Sequence, residues 1–343
     1  MSAYPEPPQI ASHPRMGSRP FWSVMIPTYN RTAYLERTLR GVLCQDPGVE
    51  EMQIEVVDDA STMDDPEPLV QQVCGDRVRF VRQPRNVGGV ANWNACIERS
   101  VGEWIHILHS DDVVFPGFYA RLKDALEARD DVGAAFCRHS GIDEDDRWLW
   151  NSELEIPVAG VLDGFIEKIG VSQRINCPSI VVRRAVYEAL GGFRPDLSFT
   201  PDWEMWIRIA SRYPIWYEPT ILAGFRSHSG SWTAANVRSA LTIVDSQRCI
   251  EIVRPLLPPA RAEIITRRAR ELASLQALWF AHKALINFDF KTAFKQVWGG
   301  IKCSCSPSVI KALAILPLRI ARDWMRRAFL VSKRRFARAG NQP

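Results

Sequence analysis

Two pairs of aspartates, Asp58-Asp59 and Asp111-Asp112, stand where short apolar runs of strand type stop, after Gln53 to Val57 and Trp104 to Leu108. A carboxylate at a strand end can accept N–H or O–H donors from a nucleoside, and a second one can hold a divalent cation through hard oxygen ligands. In an open parallel sheet, ligands bind at the carboxyl ends of the strands. Either pair alone could equally cap a helix or build a turn, but two pairs in register favour a site. Other chemistries are poorly represented. There is no GxxxxGK[ST] loop, and Gly88-Gly89 lacks the GxGxxG pattern and reads as a tight turn into a helix. The histidines and cysteines do not fall at zinc-ligand spacings, and no thiol or hydroxyl nucleophile stands in a recognisable setting.

The elements that must position these acids follow from periodicity. Phe21 to Ile26 reads as a buried strand stopped by Pro27, Thr32 to Gln45 as a helix, and Gln53 to Val57 as a strand. A short helix after Pro66, a strand at Arg77 to Val81, a helix at Val90 to Ser100 and a strand at Trp104 to Leu108 continue the rhythm, followed by a helix at Phe118 to Ala128 and a strand at Gly133 to Cys137. Short runs apolar on both faces, alternating with helices, predict an α/β fold with a mostly parallel sheet covered by helices. The second half is less regular. Ser179 to Val182 predicts a strand, Arg183 to Leu190 a helix ended by Gly191-Gly192, and Asp202 to Arg212 a helix; Ile215 to Tyr217 and Ile221 to Arg226 predict two further strands. From about Ser239 onward the pattern is helical and rich in Ala, Leu and Arg.

The chain has 343 residues, 46% hydrophobic and 24% charged, a composition able to bury a large core. Its net charge of +4 hides an asymmetry. Residues 302–343 hold ten basic side chains and one acid, a local +9, which leaves −5 on residues 1–301. The eight cysteines are scattered without a CxxC pair, as expected of structural thiols in a reducing compartment. Residues 1–20 carry five prolines and no apolar core of signal-peptide type, and predict a disordered leader. No run reaches the ~18 apolar residues a membrane span needs, so the expected location is cytoplasmic, with contact at the cytoplasmic face of a membrane left open.

The segments Val24-Met25-Ile26-Pro27-Thr28-Tyr29-Asn30, Val56-Val57-Asp58-Asp59-Ala60-Ser61 and Gly102-Glu103-Trp104-Ile105 leading into Leu108-His109-Ser110-Asp111-Asp112 resemble the nucleotide-sugar half of a family-2 glycosyltransferase of the GT-A fold. The resemblance continues through Pro178 to Arg184, Gly191-Gly192-Phe193 and Asp202 to Arg208, fades after Ala223 to His228, and covers about residues 21–232. It implies a GT-A catalytic domain at residues 21–238, with a nucleotide-sugar half at about 21–135 and an acceptor half at about 136–238, followed by a helical region at 239–343. It also implies that Pro27, Thr28 and Tyr29 line the base, that Asp58 and Asp59 meet base or ribose, and that Ser110 and Asp111 meet the donor. Asp111, Asp112 and His228 would surround a divalent cation, Mg²⁺ or Mn²⁺, and Asp202 would be the catalytic base of an inverting transfer. Two positions depart from the family pattern. His109 replaces the first acid of the DxD motif, and Pro201 replaces the glutamate that usually precedes the base.

Further residues carry open alternatives. Glu204 competes with Asp202 as base, and Arg226 could reach a phosphate or form an ordinary salt bridge. Arg85 and Asn86 could contact the nucleotide or sit in a solvated loop. Trp203 could stack on a sugar ring, whereas Trp206 reads as core. Leu313, Leu316, Ile320 and Trp324 recur at helical spacing among arginines, with Lys333-Arg334-Arg335 beyond. That basic amphipathic tail could lie on an anionic membrane or pack on the domain; no nucleic-acid motif accompanies it. The expected partners are a nucleotide-sugar donor and a glycan acceptor, the latter lipid-linked in bacterial-type surface polysaccharide synthesis. The rival reading is a scaffold of the same fold that has lost its chemistry.

Overall fold

The computed structural model describes residues 4–12 and 19–339, with side chains described as far as Arg326. From the N-terminus, β1 (Trp22–Thr28), α1 (Thr32–Leu43), β2 (Met52–Asp58), α2 (Pro66–Cys74), β3 (Arg79–Arg82), α3 (Gly89–Arg99) and β4 (Trp104–Ile107) form the alternating run that the periodicity predicts. Next come β5 (Val113–Val114), α4 (Phe118–Leu126), β6 (Ala134–Ile142), β7 (Trp148–Asn151), β8 (Gly160–Val161), α5 (Phe165–Val171), β9 (Ile180–Arg183), α6 (Arg184–Leu190), α7 (Pro201–Ala210) and β10 (Ile215–Arg226). Five helices finish the chain: α8 (Trp232–Ser239), α9 (Leu241–Val253), α10 (Ala262–Ile286), α11 (Phe290–Cys303) and α12 (Pro307–Ala339).

The strands share one sheet in the order β3-β2-β1-β4-β9-β6-β10-β5, with β7 on β6 and β8 on β10. The chain moves outward from β1 through β2 to β3, then crosses back to place β4 on the other side of β1. That reversal makes a crevice at the carboxyl ends of β1 and β4, where an open α/β sheet binds its ligand. In β1 and β2, Thr28 is level with Asp58, so both strands deliver their last residues to the same edge. The sheet is mixed rather than simply parallel. β3-β2-β1-β4 is parallel, but β9 is antiparallel to both β4 and β6, inserted between them by a chain return that local periodicity does not encode.

Two strand boundaries differ from expectation. Pro27 lies inside β1 instead of ending it. Its nitrogen faces the β4 side, where pairing stops at Met25–Ile107, so the missing N–H leaves no ladder bond unmade. The segments predicted as two strands at 215–226 form one, β10, which absorbs Pro219 and Thr220 as irregularities in its pairing with β6.

The largest apolar cluster spans the boundary placed at residue 239. Met25, Val57, Ile105, Phe136, Val182, Phe193 and Trp206 pack together with Cys249, Ile250 and Val253 of α9 and Ile265 and Ala269 of α10. The first half of the helical region is therefore part of the catalytic core, not an appendage. The leader is also partly anchored. Ile10 is buried in the same cluster, and Pro8 O accepts the Gly192 amide at 2.8 Å.

Candidate active site

At the β2 end, the two acids have distinct local duties. Asp58 is fully buried and accepts bonds from Arg82 Nε at 2.7 Å and Ser61 Oγ at 2.5 Å. Asp59 accepts the amides of Val87 and Gly88 at 2.7 and 3.0 Å and so holds the loop that starts α3. Its burial pushes its carboxyl up, although those amides act in the opposite direction. Gly88, at φ 88°, supplies the left-handed turn into α3. At Gly89 a Cβ would lie 1.8 Å from the Trp232 ring, so only glycine admits that side chain from α8. Thr28 is buried, whereas Tyr29 and Arg85 are exposed at the crevice mouth. Asn86 donates to the Asp59 carbonyl at 3.2 Å.

At the β4 end, His109, Asp111 and Asp112 offer ligand atoms that all lie within 4.8 Å of one another. His228, two residues past β10, places Nε2 3.0 Å from Asp111 Oδ2, and Arg31 Nη1 lies 3.1 Å from that same nitrogen and 3.4 Å from Nδ1. Burial raises the Asp111 carboxyl, but the His228 bond and the charges of His109, Arg31 and His228 together hold it below its usual range. Asp112 goes the other way, pushed well up by burial and by the charge of Asp111. Burial also lowers His109, favouring the neutral imidazole that binds a metal, and Trp93 stacks on its ring at 4.6 Å.

A cation fits this group. Among the described residues, His109 Nε2 and Asp112 Oδ2 are buried without a hydrogen-bond partner, and two adjacent acids tend toward opposite protonation states. A divalent ion would meet hard oxygens and an imidazole here, and its charge would let both acids ionise.

Asp202 lies in the first turn of α7, whose first residue is Pro201, as a helix N1 proline should be. Gln173 Nε2 donates to its Oδ2 at 2.8 Å, and its own helix supplies the Trp203 amide to Oδ1 at 2.8 Å. Burial raises the carboxyl to about 7. The Cys177 Sγ is 4.0 Å from Asp202 Oδ2, and this thiol is pushed up by burial and by the charges of Asp202 and Asp112. Cys177 thus links the surroundings of Asp202 to those of Asp112.

Three expectations are corrected by packing. Glu204 is 1% exposed and forms a two-point pair with Arg208 at 3.0 and 2.8 Å, while Arg208 also binds the Leu190, Gly191 and Gly192 carbonyls. This buried pair ties α7 to the end of α6 and leaves Glu204 no role as base. Arg226 is a strut rather than a phosphate ligand. Its guanidinium binds the Asp111 and Asp143 carbonyls, each at 2.7 Å, and pairs with Asp146, while its amide binds Asp112 Oδ1 at 2.8 Å. Trp203 is buried with its indole N–H on the Ile169 carbonyl at 2.7 Å, so it cannot stack on a sugar. Gln173, Arg31 and Trp93 were missed, since none carries a sequence signal that separates it from ordinary polar or core positions.

A cleft of about 360 Å³ leads away from Phe225–His228 between α8 and α10, lined by Arg238, Trp279 and Lys283, and reaches Asp289 and Thr292 at the start of α11.

A parallel βα half with acids at its switch point and helices closing the sheet is the architecture of a GT-A-type glycosyltransferase. The family model described as Glycosyl transferase family 2 matches residues 23–191. An uncharacterized protein of Mycobacterium tuberculosis is 30% identical over 259 residues, covering 70% of this chain and 78% of that protein. Among solved structures, Staphylococcus aureus TarS 1–349 in complex with UDP-GlcNAc matches 82% of this chain and 91% of its own, with TM-score 0.59 at 16% identity. The mannosyltransferase PcManGT of Pyrobaculum calidifontis, in complex with GDP-Man and Mn²⁺, matches 95% of this chain and 88% of its own, with TM-score 0.58 at 19% identity. At such identities these likenesses establish the fold. The chain belongs to glycosyl transferase family 2.

Proposed function

We propose that this enzyme moves a sugar from a nucleoside-diphosphate donor to a hydroxyl of a glycan acceptor with inversion, and that Asp202 is the base. The observation that carries the reading is the Asp202 carboxyl, raised to about 7 by burial, held by Gln173 and 4.0 Å from the Cys177 thiol, which also feels the charge of Asp112. A base of that pKa is ionised in useful amounts at neutral pH and still accepts a proton readily. As the acceptor oxygen bonds to the anomeric carbon, its proton passes to Asp202, and the anomeric C–O bond to phosphate breaks with its electron pair leaving on the nucleoside diphosphate. Asp111, Asp112 and His109 would hold a divalent cation, with His228 fixing Asp111; the ion would supply positive charge for the departing diphosphate. Thr28, Tyr29 and the loop ordered by Asp59 would form the floor under the base.

The fold of a UDP-GlcNAc-binding and a GDP-Man-binding neighbour supports donor recognition of this type. The acceptor fits a growing surface glycan, lipid-linked, entering along the cleft beside His228. The test is nucleoside diphosphate release from a panel of UDP-, GDP- and dTDP-sugars with Mg²⁺ or Mn²⁺ and soluble glycan acceptors. A donor that releases its nucleotide only with acceptor, and product of inverted anomeric configuration by NMR, supports the reading. No release from any donor, with donor binding intact, would instead support the scaffold reading that His109 and Pro201 suggest.

A further inference from the structure

Of the apolar residues expected to line the basic tail, two are covered by the protein, and the side chains of Lys333-Arg334-Arg335 lie outside the described residues. Leu316 and Ile320, the apolar face of the tail, are 7% and 9% exposed and pack with Ile286 of α10. That stretch of α12 is held against the protein, so its apolar side cannot enter a lipid layer. A row of exposed aromatic rings lies on α11 instead.

Phe290, Phe294 and Trp298 recur every fourth residue of α11 and are 60%, 70% and 54% exposed. Spacing by four residues sets them in one row along the helix. Lys302 continues the row with its Nζ 4.8 Å from the Trp298 ring, and exposed Lys291 and Lys295 flank it. The opposite face of α11, with Thr292, Ala293, Gln296 and Gly300, is buried. Beside the N-terminus of α11, Phe288 is 66% exposed and stacks on Trp324 of α12 at 5.5 Å. From Phe290 to Arg322 the sequence contains no Asp or Glu against six Lys and Arg. Large exposed aromatics are rarely grouped on a free surface. A protein partner would be met by apolar surface with charge depleted at the centre, whereas this row alternates aromatic rings with ammonium groups and excludes acids. Aromatic rings at headgroup depth beside lysines that meet phosphate are the composition of an interfacial helix.

We infer that the outer face of α11, Phe290, Phe294 and Trp298 with Lys291, Lys295 and Lys302, docks on the headgroup layer of an anionic lipid bilayer. The inference deepens the lipid-linked acceptor reading. Asp289 and Thr292, at the start of the same helix, line the cleft that begins at His228, so docking would present that cleft to a sugar carried at the membrane surface.

The test is flotation of the full chain with phosphatidylcholine vesicles, with and without phosphatidylglycerol, at low and high salt. The wild type is expected to float with phosphatidylglycerol vesicles only, and to be released by salt. Lys291→Gln/Lys295→Gln/Lys302→Gln should weaken partitioning by about 100-fold, at roughly 5-fold per lysine. Phe294→Ser/Trp298→Ser should lose flotation while keeping circular dichroism, melting temperature and turnover of a soluble acceptor. Flotation of this second variant at wild-type level would overturn the inference, since the distal basic tail would then suffice. So would failure of the wild type to float, or dimerisation of the wild type that the second variant abolishes, which would make this face a contact between copies. None of these outcomes alters soluble-acceptor turnover, so a failure here is separable from failure of the catalytic reading.

Discussion

Asp202 is half-buried beside neutral groups, so its ionised form is costly, and that cost has a sign. The folded carboxyl titrates near 7 against 3.8 for a free one, so the folded state binds the proton more tightly and the chain loses stability as pH rises from about 4 to 7. Asp202→Asn should therefore melt roughly 2–4 °C higher than wild type at pH 8, a gain that vanishes below pH 4. The same variant should lose 10²- to 10⁴-fold in transfer while binding donor normally. Wild-type kcat/KM should rise with pH to a plateau with a midpoint near 7. A pH-independent rate, or a variant less stable than wild type at pH 8, would count against the assignment. Arg226 makes the opposite case. Its charge is 1% exposed and shared among two carbonyls and Asp146, so Arg226→Ala should cost on the order of 3 kcal/mol in urea unfolding. At this scale the positions of Asp58, Asp59, Asp111 and Asp202, at or after a strand end or at a helix start, were legible, because residue type and local period fix them. Arg226 and Trp203 were not, because their partners come from distant segments, and Glu204 was not, because its pairing one turn along with Arg208 competes with a catalytic role only once both are buried.

Among the elements, β1 to β4 were readable because each buried strand and covering helix is a local pattern with its own period. β9 was found as a strand but not as an antiparallel one, since pairing partners are chosen by the path of the whole chain. α9 carries the main test at this scale. Its residues Cys249, Ile250 and Val253 are at most 1% exposed and lie in the same cluster as Trp206 and Phe193. Ile250→Ala should cost about 2–5 kcal/mol by chemical denaturation. A chain cut after Arg238, at the boundary that the sequence suggests, should fail to give a cooperative melt. A cooperative transition from that fragment would show that α9 and α10 are dispensable to the core.

For the whole molecule, the sequence by itself determined the α/β class, the family, the strand-end and helix-start acids, and the division into an acidic body and a basic end. These depend on residue type, short-range period and summed charge, all of which are properties of neighbours along the chain. The tertiary structure alone decided that α9 completes the core, that Glu204 and Arg226 are occupied as struts, that Gln173 binds Asp202, and that α11 exposes Phe290, Phe294 and Trp298. The physical reason is common to all four. Burial, and the partner a charged group finds, are set by which distant surfaces meet, and a helix's period says that it has an apolar face without saying what will cover it.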